Sequence, residues 1–213
     1  MGRGEFLFLL TGLKWTVALS AIGFVCGAIG GLAIALMRTS GVRPLERLMA
    51  GYIALFQGTP LLMQLFVVYY GLALVGLHLS AWVAVSIGFT LHASAYLGEI
   101  WRGSIEAVPR GQSEAASALN LKYVSRMKDV VLPQAIRISL PATIGFLVQL
   151  IKGTSLASIV GFTELARAGN IVSNQIFQPL LVFGVVGILY FLMCWPLSLY
   201  GSHLERRFAV AAR

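Results

Sequence analysis

Charge is scarce in this chain, so every ionisable residue inside an apolar run is a candidate for chemistry. Only 11% of its 213 residues are charged, and from Leu48 to Gly98 there is no Asp, Glu, Lys or Arg. Glu99 breaks that run, three positions before Arg102. A carboxylate there either meets a cationic group on a solute or pairs with Arg102, because an uncompensated charge in an apolar setting is costly. Lys152 stands before Gly153, Thr154 and Ser155. A half-helix starting at Thr154 or Ser155 aims its amide hydrogens inward and, with Lys152, holds a carboxylate; the alternative is an external loop with a helix cap. Gln57 and Thr59 flank Gly58, and Glu164 follows later in the chain. Gln57, Thr59, Glu99, Lys152, Thr154, Ser155 and Glu164 are therefore the candidate contacts for a small polar solute. His92, seven residues before Glu99, either lines the same cavity or packs as a satisfied histidine. No paired carboxylates, metal-ligand cluster or nucleophile beside a base emerges, so no catalytic residue and no metal site are assigned.

A second kind of chemistry, docking, is suggested by residues 111–135. Glu114, Ala115, Ala116 and Ala118 form a small-residue helix suited to close approach, released from Pro109-Arg110 by Gly111 and begun by Gln112 or Ser113. Glu114 near its start favours the helix dipole. Leu119 offers an apolar contact, and Asn120 is able to end the helix in the left-handed conformation. A second short helix runs from Lys122 to Leu132, where Pro133 disfavours helical geometry in the residue before it. Such a helix–turn–helix transmits force as a lever, or is a solvated interfacial loop with no partner.

The elements that position these groups must cross a lipid bilayer. The uncharged stretch far exceeds the ~20 residues of a spanning helix. Spans are expected at about Leu13–Met37, Leu48–Leu77, Ala81–Ile100, Val130–Ile151 and Pro179–Tyr200. Twelve of the 16 Lys and Arg residues fall in the loops after the first, third and fifth spans or around them. Basic loops stay in the cytoplasm, which puts the amino terminus outside and the carboxyl terminus and docking loop inside. The net charge of +8 thus reports topology and contact with anionic lipid, not nucleic-acid binding. Cys26 and Cys194 fall inside spans as small core residues, and Met1–Glu5 carries no secretory signal. Neither a repeat nor a soluble domain interrupts the pattern, so residues 1–213 form one membrane domain.

Within the spans, Gly23, Gly27 and Gly31 recur every four residues and bare one helical face for a neighbouring helix. Phe6–Leu10, set off by Thr11, Gly12 and Lys14, lies along the outer interface. Leu48–Leu77 is too long for one straight span. It breaks at Gln57-Gly58-Thr59-Pro60 into an interfacial helix and a spanning helix capped by Thr59. That break either lines a pathway or is merely a bend.

In order and spacing, several blocks resemble the permease subunits of bacterial ATP-binding-cassette importers, in the polar amino-acid branch. Glu114-Ala115-Ala116, a turn residue and then Leu132-Pro133 resemble their EAA motif. Gly58-Thr59-Pro60-Leu61-Leu62, Gln64-Leu65-Phe66, Tyr69-Tyr70-Gly71, Ala95-Tyr96, Glu99-Ile100 and Arg102-Gly103 extend the likeness. Leu132-Pro133-Gln134-Ala135, Pro141, Lys152 and Thr154-Ser155-Leu156 continue it over most of the chain. Four positions depart: Asn120 replaces the usual Gly, Gln57 an Arg, Gly145 an Asn and Gly153 an Asp.

The resemblance implies an all-α integral membrane protein of about five transmembrane helices, with a cytoplasmic coupling helix–turn–helix over about residues 102–132. Its coupling residues would be Gly111, Glu114, Ala115, Ala116, Leu119, Asn120, Leu132 and Pro133. It further implies two cytoplasmic ATPase subunits, a second permease copy or sister permease, and an extracytoplasmic substrate-binding protein. Such a complex lies in the bacterial inner membrane and carries a polar amino acid or related compound inward. The chain has no Gly-x-x-x-x-Gly-Lys-Ser/Thr loop, so ATP and Mg belong to the partner ATPase and this subunit is no enzyme. The competing class, a self-sufficient channel or ion-coupled carrier, needs a coupling-ion site that the spans scarcely provide.

Overall fold

The computed structural model describes residues 1–211, with side chains through Phe208. Helix α1 runs over Arg3–Arg38, α2 over Arg43–Gly58, α3 over Leu61–Leu74 and α4 over Ala81–Glu106. The short α5 covers Arg110–Ala118 and α6 spans Tyr123–Val160. Helices α7, Leu165–Ile176, and α8, Pro179–Ala211, complete the described chain. Four helices (α1, α4, α6 and α8) are long and apolar enough to cross a membrane. The α2–α3 pair, bent by 105°, makes a fifth crossing if it counts as one span.

The glycine face of α1 packs along α4 as its spacing predicts. A methyl group at Gly23 or Gly31 would come within 2.9 Å of the Phe89 or Leu97 β-carbon, and at Gly27 it would overlap the Ala93 methyl. Small residues therefore set the separation of these two helices. Leu19, Phe89, Ala93 and Leu97 continue from this seam into a core completed by Phe146 and Leu150 of α6. At the end of the bundle where α4 gives way to α5, Ala35, Ile105, Val131 and Ala135 form a second cluster.

Three expected boundaries shift for physical reasons. Phe6–Leu10 is part of α1, not a separate interfacial segment. Leu9 is fully buried against Leu165, Ala168 and Val182, and Gly12 lies close against Ala168, so α7 and α8 supply the packing that extends the helix. Helix α6 starts at Tyr123, seven residues before the expected span, and Pro133 does not stop it. A π-helical turn over Met127–Val131 precedes the proline and re-sets the hydrogen-bond ladder where its missing amide would otherwise leave a gap. Pro141 sits farther along the same helix. Thr154 does not open a fresh half-helix. The chain tightens there into a 3₁₀ segment, Thr154–Val160, which continues α6.

Candidate functional site

The 105° bend between α2 and α3 is held by one side chain. Gln64 of α3 donates from its amide nitrogen to the carbonyl oxygens of Phe56 (2.7 Å) and Thr59 (3.0 Å) and to the Thr59 hydroxyl (3.0 Å). Those oxygens lie at the broken backbone, where lipid offers no partner. Thr59 does not cap the following helix, as its position suggested. Its hydroxyl donates back to the Leu55 carbonyl at 2.7 Å, and Pro60 precedes the first helical residue. Gln64 itself is buried, and its amide oxygen bonds His92 Nδ1 of α4 at 2.9 Å.

A cavity of about 670 Å³ opens beside this bend, within the size range of small-molecule sites. Gln57, Thr59, His92, Tyr96, Lys152 and Ser155 all contribute to its wall. The Tyr96 ring packs in a triangle with His92, 4.5 Å away by centroids, and Phe146, 5.4 Å away and stacked. Lys152 makes no ion pair among the described residues. Four of the seven predicted solute contacts are thus brought together: Gln57, Thr59, Lys152 and Ser155.

The other three lie elsewhere. Glu99 is engaged by Arg102, whose Nε reaches Oε2 at 2.9 Å, and the same guanidinium bridges to Glu106 at 2.5 Å. Thr154 is fully buried and donates its hydroxyl to the Ile151 carbonyl at 2.6 Å. Glu164, also without exposed surface, caps α7. It accepts from the Ala166 and Arg167 amides at 2.7 and 2.8 Å and from the Tyr190 hydroxyl at 2.8 Å. Burial pushes its carboxyl above the ordinary range, opposed by those two amides and Tyr190. Alongside, Thr16 of α1 accepts from the Leu165 amide at 3.1 Å. At Gly153 a β-carbon would come within 3.2 Å of the end of the Leu61 side chain, so a larger residue there needs that side chain to shift.

Beyond the end of α4, α5 forms an elbow. It begins at Arg110 after Pro109, so Gly111 lies in its first turn and does not release it, and neither Gln112 nor Ser113 starts it. Glu114 accordingly sits one turn in. Asn120 takes the left-handed conformation (φ 57°) that its type permits, while the Leu121 amide closes onto the Ala116 carbonyl at 3.1 Å. Ala116 faces the protein body at 4% exposure, whereas Glu114, Ala115 and Leu119, the last 77% exposed, face outward. Arg126 steadies the elbow by donating to the Ser117 hydroxyl at 3.0 Å. Leu132 packs on the second cluster, and Pro133 is exposed at the surface of α6.

Residues 23–210 match the model of a family described as "binding-protein-dependent transport system inner membrane component". The chain belongs to that family. A probable amino-acid ABC transporter permease protein, YckA of Bacillus subtilis, is 34% identical over 205 residues, covering 96% of this chain and 91% of its own. The L-cystine transport system permease protein TcyB of the same organism is 37% identical, over 92% and 84% of the two chains. Among solved structures, an amino acid ABC transporter superposes with a TM-score of 0.88 at 33% identity, covering 95% of this chain and 94% of that one. An inward-facing MetNI methionine transporter shares the fold, with a TM-score of 0.77 at 19% identity. This permease is therefore the membrane subunit of an ABC importer, a multi-pass inner-membrane component that works beside ATPase and binding-protein partners.

The sequence reading left Gln64, Tyr96, Gln149 and Tyr190 without a role. Gln64 alone carried a signal, as an amide in an otherwise uncharged apolar run. Its three acceptors become visible only once the chain bends.

Proposed function

We propose that this permease carries a polar amino acid from an extracytoplasmic binding protein to the cytoplasm, acting as a single transmembrane domain over residues 1–213. The substrate passes the cavity beside the α2–α3 bend, where Lys152 offers an ammonium to its carboxylate and Gln57, Thr59 and Ser155 supply neutral hydrogen-bonding groups. Two cytoplasmic ATPase subunits, which bind ATP and Mg, drive the cycle. A second copy of this chain, or a sister permease, completes the pathway. The amino acids named for cystine, arginine and glutamine permeases among its relatives support this substrate class.

The observation that carries the reading is the elbow: a short helix that exposes Glu114, Ala115 and Leu119 while Ala116 anchors it from behind. Gly111 sits in its first turn, Asn120 turns the chain at its far end, and Leu132 and Pro133 lie within α6 beyond it. With twelve basic residues on its side of the membrane, the elbow faces the cytoplasm, as does the carboxyl terminus, and the amino terminus faces out. ATP-driven movement of the ATPases then reaches α6 through a rigid connection.

One experiment tests both docking and orientation. In intact cells, Leu119→Cys crosslinks to the ATPase and resists a membrane-impermeant thiol reagent added outside. Glu114→Lys abolishes uptake while the permease still inserts and purifies at wild-type yield. Labelling of residue 119 from outside, or normal uptake by Glu114→Lys, overturns the coupling reading.

A further inference from the structure

Around Gln64 the hydrogen-bond geometry fixes the identity of atoms that coordinates alone leave ambiguous. One end of its amide lies within 2.7–3.0 Å of two backbone carbonyl oxygens and the Thr59 hydroxyl. Carbonyl oxygens only accept, so that end must be the NH₂ group. The opposite end is then the oxygen, and it lies 2.9 Å from His92 Nδ1. An acceptor at that distance requires a proton on Nδ1. In the neutral imidazole the second nitrogen, Nε2, then carries a lone pair and no hydrogen. Nε2 has no protein partner among the described residues, and His92 lines the cavity that also holds Lys152.

We propose that His92 is a substrate-binding residue, whose Nε2 accepts a hydrogen bond from an organic ammonium in the cavity while Gln64 holds its tautomer. The inference rests on the substrate reading above and deepens it. Lys152 takes the carboxylate end of the amino acid and His92 the ammonium end, so the common backbone is read and the variable side chain is left to the rest of the cavity. Tyr96, tilted against His92 with ring centroids 4.5 Å apart, lines the same wall, and an aromatic ring there adds a second attraction of the right sign for a cation. Because Gln64 is bonded both to His92 and to the carbonyls at the bend, an occupied cavity and the α2–α3 geometry share one hydrogen-bond chain.

Two isosteric substitutions separate the roles of the two nitrogens. Asn places a donor close to the Nδ1 position and nothing at Nε2; Gln reaches the Nε2 position and leaves Nδ1 empty. The permease–ATPase complex is reconstituted in nanodiscs without the binding protein. Equilibrium binding of radiolabelled L-glutamine, L-arginine and L-cystine is measured, and the tightest becomes the probe. The 2-hydroxy acid analogue of that probe, which lacks the ammonium, serves as competitor.

His92→Asn should weaken probe binding about tenfold to a hundredfold, the scale of a lost hydrogen bond to a charged group, while competition by the hydroxy acid is unchanged. His92→Gln should stay within about threefold of wild type, and both variants should co-purify with the ATPase. Equal losses in the two variants, or a larger loss in His92→Gln, overturn the inference and leave the Lys152 reading standing. A wild-type complex that retains none of the three amino acids overturns both. If either variant fails to assemble, Gln64→Glu, which keeps an acceptor for Nδ1 but removes the donors to the bend, gives a third arm. There, retained probe binding supports the role of Nε2, and lost binding in an assembled complex overturns it.

Discussion

Replacing Gly27 by alanine tests whether bare glycine surface, and not apolar character alone, holds the first and third spanning helices together. The added methyl carbon would overlap the Ala93 methyl and lie 3.2 Å from both the Ala93 carbonyl carbon and the Ser94 nitrogen. Carbon atoms rest about 3.5–4.0 Å apart, so α1 and α4 must separate by roughly 1 Å at this point. Overpacking of that kind costs about 1–3 kcal/mol. The higher helix propensity of alanine returns at most about 1 kcal/mol, which leaves a net loss near 1–2 kcal/mol. For a chain of this size that corresponds to roughly 2–8 °C in the unfolding midpoint, followed by tryptophan fluorescence of the detergent-purified protein. Gly187→Ala on α8 is the control, because a β-carbon there meets open space. It should leave the midpoint unchanged or raise it. Combining Gly27→Ala with Ala93→Gly removes the methyl clash but not the two backbone contacts, so about half the loss should return. A Gly27→Ala protein as stable as wild type, or a double variant no better than the single one, would refute the close-packed seam.

Two further outcomes follow from the polar groups. Lys152→Ala should weaken amino-acid binding to the permease–ATPase complex about tenfold or more and blunt substrate stimulation of ATP hydrolysis; unchanged stimulation would reduce Lys152 to a structural role. Burial raises the Glu164 carboxyl in the folded protein, so its favourable contribution is complete below the unfolded carboxyl's range and is lost as pH rises through the folded value. Glu164 should therefore contribute a fall in stability between acidic and neutral pH. Glu164→Gln should lower the curve by about 1 kcal/mol at acidic pH and remove that contribution; a pH dependence unchanged from wild type would contradict the burial argument.

What the sequence disclosed depended on how local the cause was. The glycine seam was legible because a four-residue repeat fixes one helix face whatever lies opposite. Asn120 was legible because few residue types adopt its backbone conformation. The extension of α1 back to Arg3 was not, since its cause is packing of Leu9 and Gly12 on residues some 150 positions later. The passage of α6 through Pro133 was likewise hidden. A π-helical turn has no compositional mark, and local rules correctly named the proline a poor helix residue. Ala116 looked like part of a docking face because alanines were counted as a run. The helical turn distributes them, and one of them points home.

The same reasoning explains why three of the seven candidate solute contacts, Glu99, Thr154 and Glu164, lie away from the cavity. In lipid, a backbone break must find its partners within the protein, so polar side chains near a break are claimed by backbone first. Gln64 serves the carbonyls at the α2–α3 bend, Glu164 serves the first amides of α7, and Thr154 bonds the last turn before the 3₁₀ segment. Glu99 is claimed by Arg102 for the related reason that a charge in this setting needs a partner. What survives this subtraction around the cavity is the Lys152 ammonium, the Gln57 and Gln149 amides, the Tyr96 hydroxyl and the second nitrogen of His92. Thr59 and Ser155 line the same wall with hydroxyls already donated to the Leu55 and Lys152 carbonyls, so toward a solute they are left to accept.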